Sequence, residues 1–433
     1  MSTVPVLPYG ARPGPQLAVL PPLGLYVHVP WCVRKCPYCD FNSHELRPPT
    51  RPEALPAEPG GQFNARPVAA HGRPLHAARK EVAELDPALE LRYIRALTAD
   101  LEHALPSIRG RTLHSIFLGG GTPSLLSVRA VEQLLSAIRA RLRVDSEAEV
   151  TLEANPGTVE AAKFAGFRAA GVNRLSLGIQ SFDRRHLATL GRIHDEQQAR
   201  RAIEIALRHF DNINLDLMYA LPGQSLDEAL ADARAALASR PAHLSFYHLT
   251  IEPNTCFHRY RPQLPDEDVA ADMQEAIEQL AAEYGYRHYE TSAFARPGRE
   301  ARHNLNYWTF GDYVGIGAGA HGKISSADRI VRETRWKHPR EYMERVLAGQ
   351  PLQSSEEVSV QALPFEFMMN ALRLIDGVPT RLFVERTGLP LTEVLPALEE
   401  AQRRGLIESD ALRLRPTARG QRFLNELLQL FLR

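Results

Sequence analysis

The chain has 433 residues, with 51 lysines and arginines against 51 aspartates and glutamates, so its formal net charge is zero. Zero net charge argues against a protein whose main role is to coat nucleic acid or an anionic membrane, and the length predicts two domains or one large α/β barrel with additions. No stretch approaches the roughly 20 apolar residues of a membrane span, and the N-terminus lacks a charged head followed by an apolar run, so we expect a cytoplasmic protein.

Short apolar runs alternate with amphipathic segments from residue 24 to about residue 250. The runs are bounded by Gly, Pro or Asn and rich in β-branched or aromatic residues, which is typical of buried strands. The predicted strands are 24–30, 114–121, 149–156, 174–180, 213–219 and 244–250. The predicted helices are 91–105, 128–142, 159–170, 195–209 and 225–239. This alternation indicates a parallel sheet, either open or closed into a partial barrel, and both bind ligands at the carboxyl ends of the strands.

Two segments depart from this pattern. Residues 42–87 are rich in Pro, Ala and Arg and poor in aromatics, which predicts an irregular, partly disordered insertion. From about residue 355 the strand signal stops, and a small winged-helix-type accessory domain is predicted. Its helices are expected at 364–374, 379–387, 391–404 and 417–431, with a short β-like segment before the last. Such a shape alone does not imply DNA binding.

Three of the four cysteines lie together directly after the first predicted strand. Cys32, Cys36 and Cys39 are spaced C-x3-C-x2-C, and Cys256 is far away. Clustered thiols in a chain this large indicate metal ligands or redox groups rather than a disulfide framework. A four-iron cubane usually takes four thiolates, so three would leave one iron with an open coordination position.

Zinc is the alternative occupant of this motif. Three cysteines and a histidine can hold zinc, and His28 and His44 are both near in sequence. Zinc modules normally bring their ligands in two pairs across a short excursion, whereas these cysteines share one loop. The spacing therefore favours the iron–sulfur cluster.

Polar residues recur where the predicted strands end. Glycines occupy 119–121 and are followed by Thr122, and no Lys-Ser/Thr pair follows to make a phosphate loop. Glu153, Gln180 and Asp216 interrupt otherwise apolar strands. Burying such groups unpaired would cost about 1–3 kcal/mol each, so a ligand is their expected partner.

Five segments together resemble one known family. They are LYVHVPWCVRKCPYCDF at 25–41, GGGTPS at 119–124, LGIQSF at 177–182, LGRIHD at 190–195 and DLMYALPGQ at 216–224. The chain is similar in them to the radical-SAM coproporphyrinogen dehydrogenase and heme-chaperone family, from about residue 24 to the C-terminus. The resemblance implies a partial (β/α)6 TIM-type barrel with a C-terminal, mostly helical, winged-helix-like domain. It divides the chain into 1–23, 24–260, 261–354 and 355–433.

The resemblance also implies two cofactors, a [4Fe-4S] cluster on Cys32, Cys36 and Cys39 and S-adenosylmethionine on the iron that no cysteine reaches. Tyr26 is expected to hydrogen-bond the carboxylate of S-adenosylmethionine, and Arg192 is available for a bidentate carboxylate pair. The full set implied for this ligand is Tyr26, Tyr38, Gly120, Gly121, Thr122, Glu153, Gln180, Arg192 and Asp216. In the family, one electron from the reduced cluster cleaves S-adenosylmethionine to methionine and a 5′-deoxyadenosyl radical.

Two marks distinguish the branches of the family. The dehydrogenase branch has a further cysteine two positions after the third, where this chain has Phe41. The heme-chaperone branch carries HNxxYW, and residues 303–308 read HNLNYW. Both marks imply a protein that binds heme and transfers it to an acceptor protein. The cluster implies an electron donor, and the zero net charge predicts no nucleic-acid partner.

The HNLNYW motif supplies the candidate heme contacts, His303, Tyr307 and Trp308. Imidazole is a common axial ligand of heme iron, but a histidine beside two aromatic residues is more often a packed, hydrogen-bonded core group. Two other functions stay open: a radical-SAM porphyrinogen dehydrogenase, and a binding protein that holds cluster and cofactor without turnover.

Overall fold

The computed structural model describes residues 14–46, 85–158 and 161–432. Most of the predicted insertion at 42–87 and most of the extension at 1–23 lie outside these residues. Within them, no helix is long and apolar enough to cross a membrane.

Most of the strands belong to one sheet. In chain order they are β1 (Leu23–Val29), β2 (Trp31–Cys32), β3 (His44–Glu45), β4 (Thr112–Gly120), β5 (Arg143–Ala154), β6 (Arg174–Gln180), β7 (Ile213–Tyr219), β8 (His243–His248), β9 (Arg287–Glu290), β10 (Ala293–Ala295), β11 (Asp312–Ile316), β12 (His321–Ser325), β13 (Ile330–Arg335), β14 (Leu352–Glu357), β15 (Val378–Pro379) and β16 (Arg413–Leu414). Each of the six predicted strands is present. Five lie within two residues of their predicted bounds, whereas β5, predicted at 149–156, begins six residues earlier at Arg143.

The helices follow the strands as predicted. They are α1 (Pro87–Ala104), α2 (Val128–Arg141), α3 (Ala161–Ala170), α4 (Arg184–Thr189), α5 (Glu196–His209), α6 (Leu226–Ala238), α7 (Cys256–Arg259), α8 (Glu267–Glu283), α9 (Arg302–Trp308), α10 (Pro339–Leu347), α11 (Leu363–Ala371), α12 (Arg381–Thr387), α13 (Leu395–Arg403), α14 (Ala418–Arg422) and α15 (Leu424–Gln429). Ser127, Asp195 and Ser225 begin α2, α5 and α6 by accepting hydrogen bonds from backbone N–H groups of the first turn.

Six parallel strands form the centre of the fold, in the spatial order β1-β4-β5-β6-β7-β8. Sequential parallel strands joined by helices make the partial (β/α)6 barrel that the resemblance implies, which confirms the predicted fold class. All their carboxyl ends lie at one edge of the sheet. The strand ends that carry Gly120, Glu153 and Gln180 therefore come together there.

Six further strands extend the sheet on both sides, while β2–β3 and β15–β16 form two separate pairs. β11 pairs with β1 in parallel and continues into the antiparallel β12, β13 and β14, while β10 and β9 follow β8. Strands that precede residue 260 and strands that follow it therefore belong to the same sheet. The division into 24–260 and 261–354 remains a proposal about function rather than a boundary between sheets.

The C-terminal segment packs its own hydrophobic core. α11 to α15 surround Phe367, Phe383 and Leu427, and the short pair β15–β16 forms the wing. The helix predicted at 417–431 is two helices, because Phe423 leaves helical geometry with ψ of 41°. Leu17 of the N-terminal segment is buried in the same core.

A buried carboxylate joins the barrel to the extension. Asp100 on α1 accepts hydrogen bonds from Arg335 Nε at 3.0 Å, the Tyr342 hydroxyl at 2.8 Å and the Gly317 N–H at 3.2 Å. The side chains of Asp100 and Arg335 are both fully buried. A charge pair so placed stabilises the fold only while both partners are present.

Asp100→Asn should therefore lower the free energy of unfolding by about 3–5 kcal/mol, because the Arg335 guanidinium would stay buried without its counter-charge. Urea unfolding measures the change. Glu385→Gln is the control, since its pair with Arg381 is exposed and such pairs contribute less than about 1 kcal/mol. Equal losses in the two variants would contradict this role of Asp100.

Candidate functional site

The three clustered cysteines line one cavity at the carboxyl ends of the barrel strands. The cavity has a volume of about 350 Å³ and contains Cys32, Cys36 and Cys39 in its wall. The loop that carries them is held at both ends, because β2 pairs in parallel with β3 and the Cys39 N–H donates to the Cys36 carbonyl at 3.2 Å. One loop thus presents three thiols to one space.

Eight of the nine residues predicted for S-adenosylmethionine line the same cavity. They are Tyr38, Gly120, Gly121, Thr122, Glu153, Gln180, Arg192 and Asp216. The ligand that they hold stays a prediction. Their convergence beside the thiols follows from the parallel sheet, which brings the ends of β4, β5 and β6 to one edge.

The glycines at the end of β4 allow a close backbone contact. A Cβ on Gly121 would lie 2.6 Å from the Trp31 carbonyl oxygen, and one on Gly120 would lie 2.5 Å from the His28 ring. The Gly121 N–H also donates to the Val29 carbonyl at 2.7 Å. These glycines therefore allow β4 to pack closely against the start of the cysteine loop. The sequence alone did not reveal this role of the glycines.

All three thiols have polar neighbours in the cavity wall, and Cys39 Sγ lies 3.7 Å from Ser43 Oγ. The Thr122 hydroxyl lies 3.6 Å from Cys32 Sγ, and Arg192 Nη1 lies 3.7 Å from Cys36 Sγ. Arg192 thus brings a positive charge next to one thiol of the cysteine motif. Arg192 also donates to the Gly178 carbonyl at 2.6 Å and to Asn155. Some of the guanidinium N–H groups that were expected to bind a carboxylate are therefore already hydrogen-bonded within the protein.

Glu153 and Asp216 form an acidic floor. Glu153 accepts a hydrogen bond from the Gly120 N–H at 3.0 Å, and Asp216 accepts from Ser176 and Asn214, both at 2.8 Å. Burial, with a smaller contribution from Asp216, raises the pKa of Glu153 to about 8. Burial also raises the pKa of Asp216. At neutral pH Glu153 is therefore mostly a neutral acid that can donate a hydrogen bond.

Gln180 adopts a backbone conformation that side chains rarely adopt. Its φ is +66°, and the pairing of β6 with β7 shifts register between Gly178 and Gln180. Such bulges re-aim side chains, and strain of this kind concentrates at functional sites. The conformation is consistent with a Gln180 side chain that is positioned for a ligand.

Tyr26 lies outside the set that lines the cavity. Its hydroxyl donates to His28 Nδ1 at 2.9 Å, because His28 Nε2 carries the proton that it donates to the Asn42 carbonyl at 2.9 Å. The Tyr26 ring stacks on Phe117 with centroids 6.2 Å apart. Its predicted bond to a carboxylate therefore requires the contact with His28 to be given up.

The HNLNYW motif forms α9, and none of its three candidate heme contacts lines the cavity. The ring of His303 is buried, stacks on Phe117 at 4.8 Å and meets Tyr307 edge-on at 4.8 Å. Burial lowers the pKa of His303 to about 3. Among the residues that the structure describes, His303 Nε2 and Trp308 Nε1 have no hydrogen-bonding partner.

A hydrogen-bonded chain connects the cavity floor to α9. It runs from Asp216 to Asn214 at 2.8 Å, from Asn214 to His243 at 2.7 Å and from His243 to Tyr289 at 2.8 Å, and the Tyr289 hydroxyl accepts from the Ala301 N–H at 3.2 Å. Ala301 is the residue before α9. The two sequence motifs are therefore physically linked.

Sequence reasoning missed the members of this chain and several residues of the cavity wall. These are Asn214, His243, Tyr289, Asn155, Ser176 and Tyr247. The sequence signal that could have identified the strand residues among them is the one that identified Asp216, a polar side chain within an otherwise apolar predicted strand.

The raised pKa of Glu153 predicts a pH-dependent cost to stability. Between pH 4.5, its ordinary value, and about 8, the unfolded state loses the proton that the folded state keeps. The stability of the wild type should therefore fall across this window relative to Glu153→Gln, and the difference should be constant above it. Urea unfolding at a series of pH values, without added ligand, measures this difference. Glu283→Gln, which alters an exposed carboxylate, should show no such trend; a trend equal to that of Glu153→Gln would contradict the assignment.

Comparisons with known proteins agree with this geometry. A family model for the radical SAM superfamily matches residues 26–236, and a model for the HemN C-terminal domain matches residues 358–423. Among solved structures, coproporphyrinogen III oxidase (HemN) from Escherichia coli, described as a radical SAM enzyme, matches with a TM-score of 0.73 over 95% of this chain and 90% of that one. The two sequences are 20% identical, so this structural match shows a shared fold.

Curated relatives are closer in sequence. The heme chaperone HemW of Escherichia coli (strain K12) is 46% identical over 418 residues, which cover 95% of this chain and 99% of the relative. The protein of that name from Haemophilus influenzae is 44% identical over 95% of this chain and 98% of its own length. The one from Bacillus subtilis is 32% identical over 94% and 98%. The chain therefore belongs to the heme chaperone HemW family, within the radical SAM superfamily.

Proposed function

We propose that this chain binds heme and transfers it to an acceptor protein, with a [4Fe-4S] cluster on its three clustered cysteines and S-adenosylmethionine in the adjoining cavity. The heme function rests on the relatives named heme chaperone HemW. The observation that carries the cofactor assignment is the single cavity that contains all three thiols and eight of the nine predicted ligand contacts. We place the protein in the cytoplasm, where reducing conditions keep such thiols available.

The residues present fit both cofactors. Three thiols leave one iron of a cubane open, and Arg192 supplies positive charge beside Cys36. The neutral Glu153 and the strained Gln180 offer polar contacts within reach of the same space. When both groups are bound, they supply one-electron cleavage chemistry, and this chain's own residues bind, orient and shield the ligand.

Phe41 supports the chaperone over the dehydrogenase. Its side chain lines the cavity and is 62% exposed, at the position where the dehydrogenase branch has a cysteine. Cys256 does not replace that thiol, since it is exposed on α7 and does not line the cavity.

The heme contacts on α9 remain a prediction. His303, Tyr307 and Trp308 lie in a packed aromatic cluster, so heme would reach them only if α9 moved. The hydrogen bonds that run from Asp216 to the Ala301 N–H connect the cavity to the start of α9. Binding of a ligand in the cavity would alter these hydrogen bonds and thereby favour a movement of α9. The proposal also includes an acceptor protein that receives the heme and an electron donor that reduces the cluster.

Iron content tests the cluster assignment. Protein reconstituted anaerobically should hold about four irons per chain, and Cys36→Ala should lose them because only two thiols would remain on the loop. Cys256→Ala is the matched control and should keep its iron. Loss of iron in both variants, or in neither, would show that the cluster is held differently.

Turnover tests the choice between chaperone and dehydrogenase. Reduced, reconstituted protein is incubated anaerobically with S-adenosylmethionine and coproporphyrinogen III, and the same sample is then titrated with heme. We expect no protoporphyrinogen and stoichiometric heme binding, because the additional cysteine of the dehydrogenase branch is Phe41 here. Formation of protoporphyrinogen would overturn the chaperone assignment.

A further inference from the structure

A second, smaller cavity reaches the cysteine loop from its outer side. It has a volume of about 30 Å³ and is lined on one side by Val33, Arg34 and Cys36 and on the other by residues 191–194, which follow α4. Cys36 lines this space, the outer crevice, and also the first cavity. One residue of the cysteine motif therefore forms part of the wall between the two.

The outer crevice is too small to admit a cofactor. A volume of about 30 Å³ is the space that one water molecule takes in the liquid. An electron needs no opening, because it tunnels through a protein wall when the distance is short. With S-adenosylmethionine in the first cavity, the side of Cys36 that faces the crevice remains free for the approach of a reductant.

The rim of the outer crevice is apolar and open to solvent. Ile193 is 50% exposed, and Val33 on the opposite side is half-buried. The two segments pack closely, since a Cβ on Gly191 would lie 2.7 Å from Pro37 Cδ. Transient redox partners bury small interfaces, so a small apolar rim beside a cluster ligand suits such a partner.

Two cations lie on the loop directly before Cys36. Arg34 and Lys35 are both exposed, and Arg34 lines the crevice. Lys35 Nζ donates to the carbonyls of Phe41 and Ser43 at 3.3 Å each. Within the described part of the chain, neither cation is paired with a carboxylate. Their positive charge is therefore available to a partner.

The carboxylates nearest to the crevice in sequence leave this charge uncompensated. Asp40 lines the first cavity and not the crevice. Asp195 is engaged at the start of α5, where it accepts a hydrogen bond from the Gln198 N–H. The crevice thus combines an apolar rim with unpaired positive charge. Positive surface charge steers an acidic protein to its binding site and raises the rate of association.

We propose that the outer crevice is the docking site of the electron donor, an acidic protein whose one-electron redox group reaches its own surface. The apolar surface of the donor packs on Ile193 and its carboxylates face Arg34 and Lys35, which brings the redox group close to Cys36. The donor loses one electron and the cluster gains it, and no covalent bond forms or breaks. The inference rests on the proposed function, because it names the partner that reduces the proposed cluster.

Reduction of the full-length, reconstituted protein by a flavodoxin, a small acidic flavoprotein, tests this site. Flavodoxin hydroquinone is mixed with the protein anaerobically, and the absorbance of the cluster gives the rate constant. The wild-type value should fall between ionic strengths of about 0.01 M and 0.15 M, since the Debye length shortens from about 30 Å to 8 Å. At the lower ionic strength, Arg34→Glu and Ile193→Glu should each reduce it about tenfold or more. Titration calorimetry with oxidised flavodoxin should show weaker binding by a similar factor.

Arg299→Glu and Leu347→Glu are the matched controls. Arg299 is exposed after β10, and Leu347 ends α10 with the same exposed fraction as Ile193, 50%. Both variants should be reduced at the wild-type rate, because neither residue lines the crevice. Reduced methyl viologen, a small cationic donor that needs no docking site, should reduce Arg34→Glu at least as fast as the wild type.

Three results would overturn this inference and leave the cluster standing. They are a wild type that dithionite reduces but flavodoxin does not, crevice variants that flavodoxin reduces at the wild-type rate, and crevice variants that methyl viologen also reduces slowly. The last result would show that the substitutions act on the cluster rather than on docking. A wild type that holds no iron after reconstitution would instead overturn the proposed function together with this docking site.

Discussion

The close packing of β4 against the start of the cysteine loop is the contact on which the rest of the site depends. Gly121 donates to the Val29 carbonyl and approaches the Trp31 backbone within a distance that a side chain would block. This contact places Thr122 beside Cys32 and the Gly120 N–H on Glu153. The first thiol, the acidic floor and the cavity wall are thereby positioned by one backbone contact.

Hydrogen bonds between polar side chains inside the barrel connect the cavity to more distant parts of the fold. Asp216 is hydrogen-bonded at the floor, and the chain through Asn214 and His243 reaches the start of α9. Buried polar groups are stable only when they are paired, so a change at one end of such a chain disturbs the groups along it.

The sequence was sufficient for the features that periodicity and spacing encode. The barrel strands and their helices have regular patterns, and parallel topology then requires Cys32, Glu153 and Gln180 to meet at one edge. The two-helix form of 417–431 was not predictable, because it depends on the backbone of Phe423. The same holds for Tyr26, whose hydroxyl is directed to His28 by tertiary packing.

Contacts between distant segments were beyond sequence reasoning. His44 was considered only as a zinc ligand beside the cysteines, and nothing in the local pattern predicts that its ring contacts that of His338, with centroids 5.5 Å apart. Their proximity arises because β11 and its antiparallel neighbours continue the sheet beside β1 and bring α10 to the back of the loop. Family resemblance directed attention to HNLNYW, whereas the structure places those residues in a packed core.

The central claim is that three cysteines hold a cluster whose fourth iron is open to S-adenosylmethionine. Electron paramagnetic resonance of the reduced, reconstituted protein, recorded with and without S-adenosylmethionine, tests it most directly. We expect the cluster signal to change on addition, because the ligand binds iron itself, and we expect this change to require an intact loop. A cluster signal that is identical with and without saturating S-adenosylmethionine would show that the ligand does not bind the cluster.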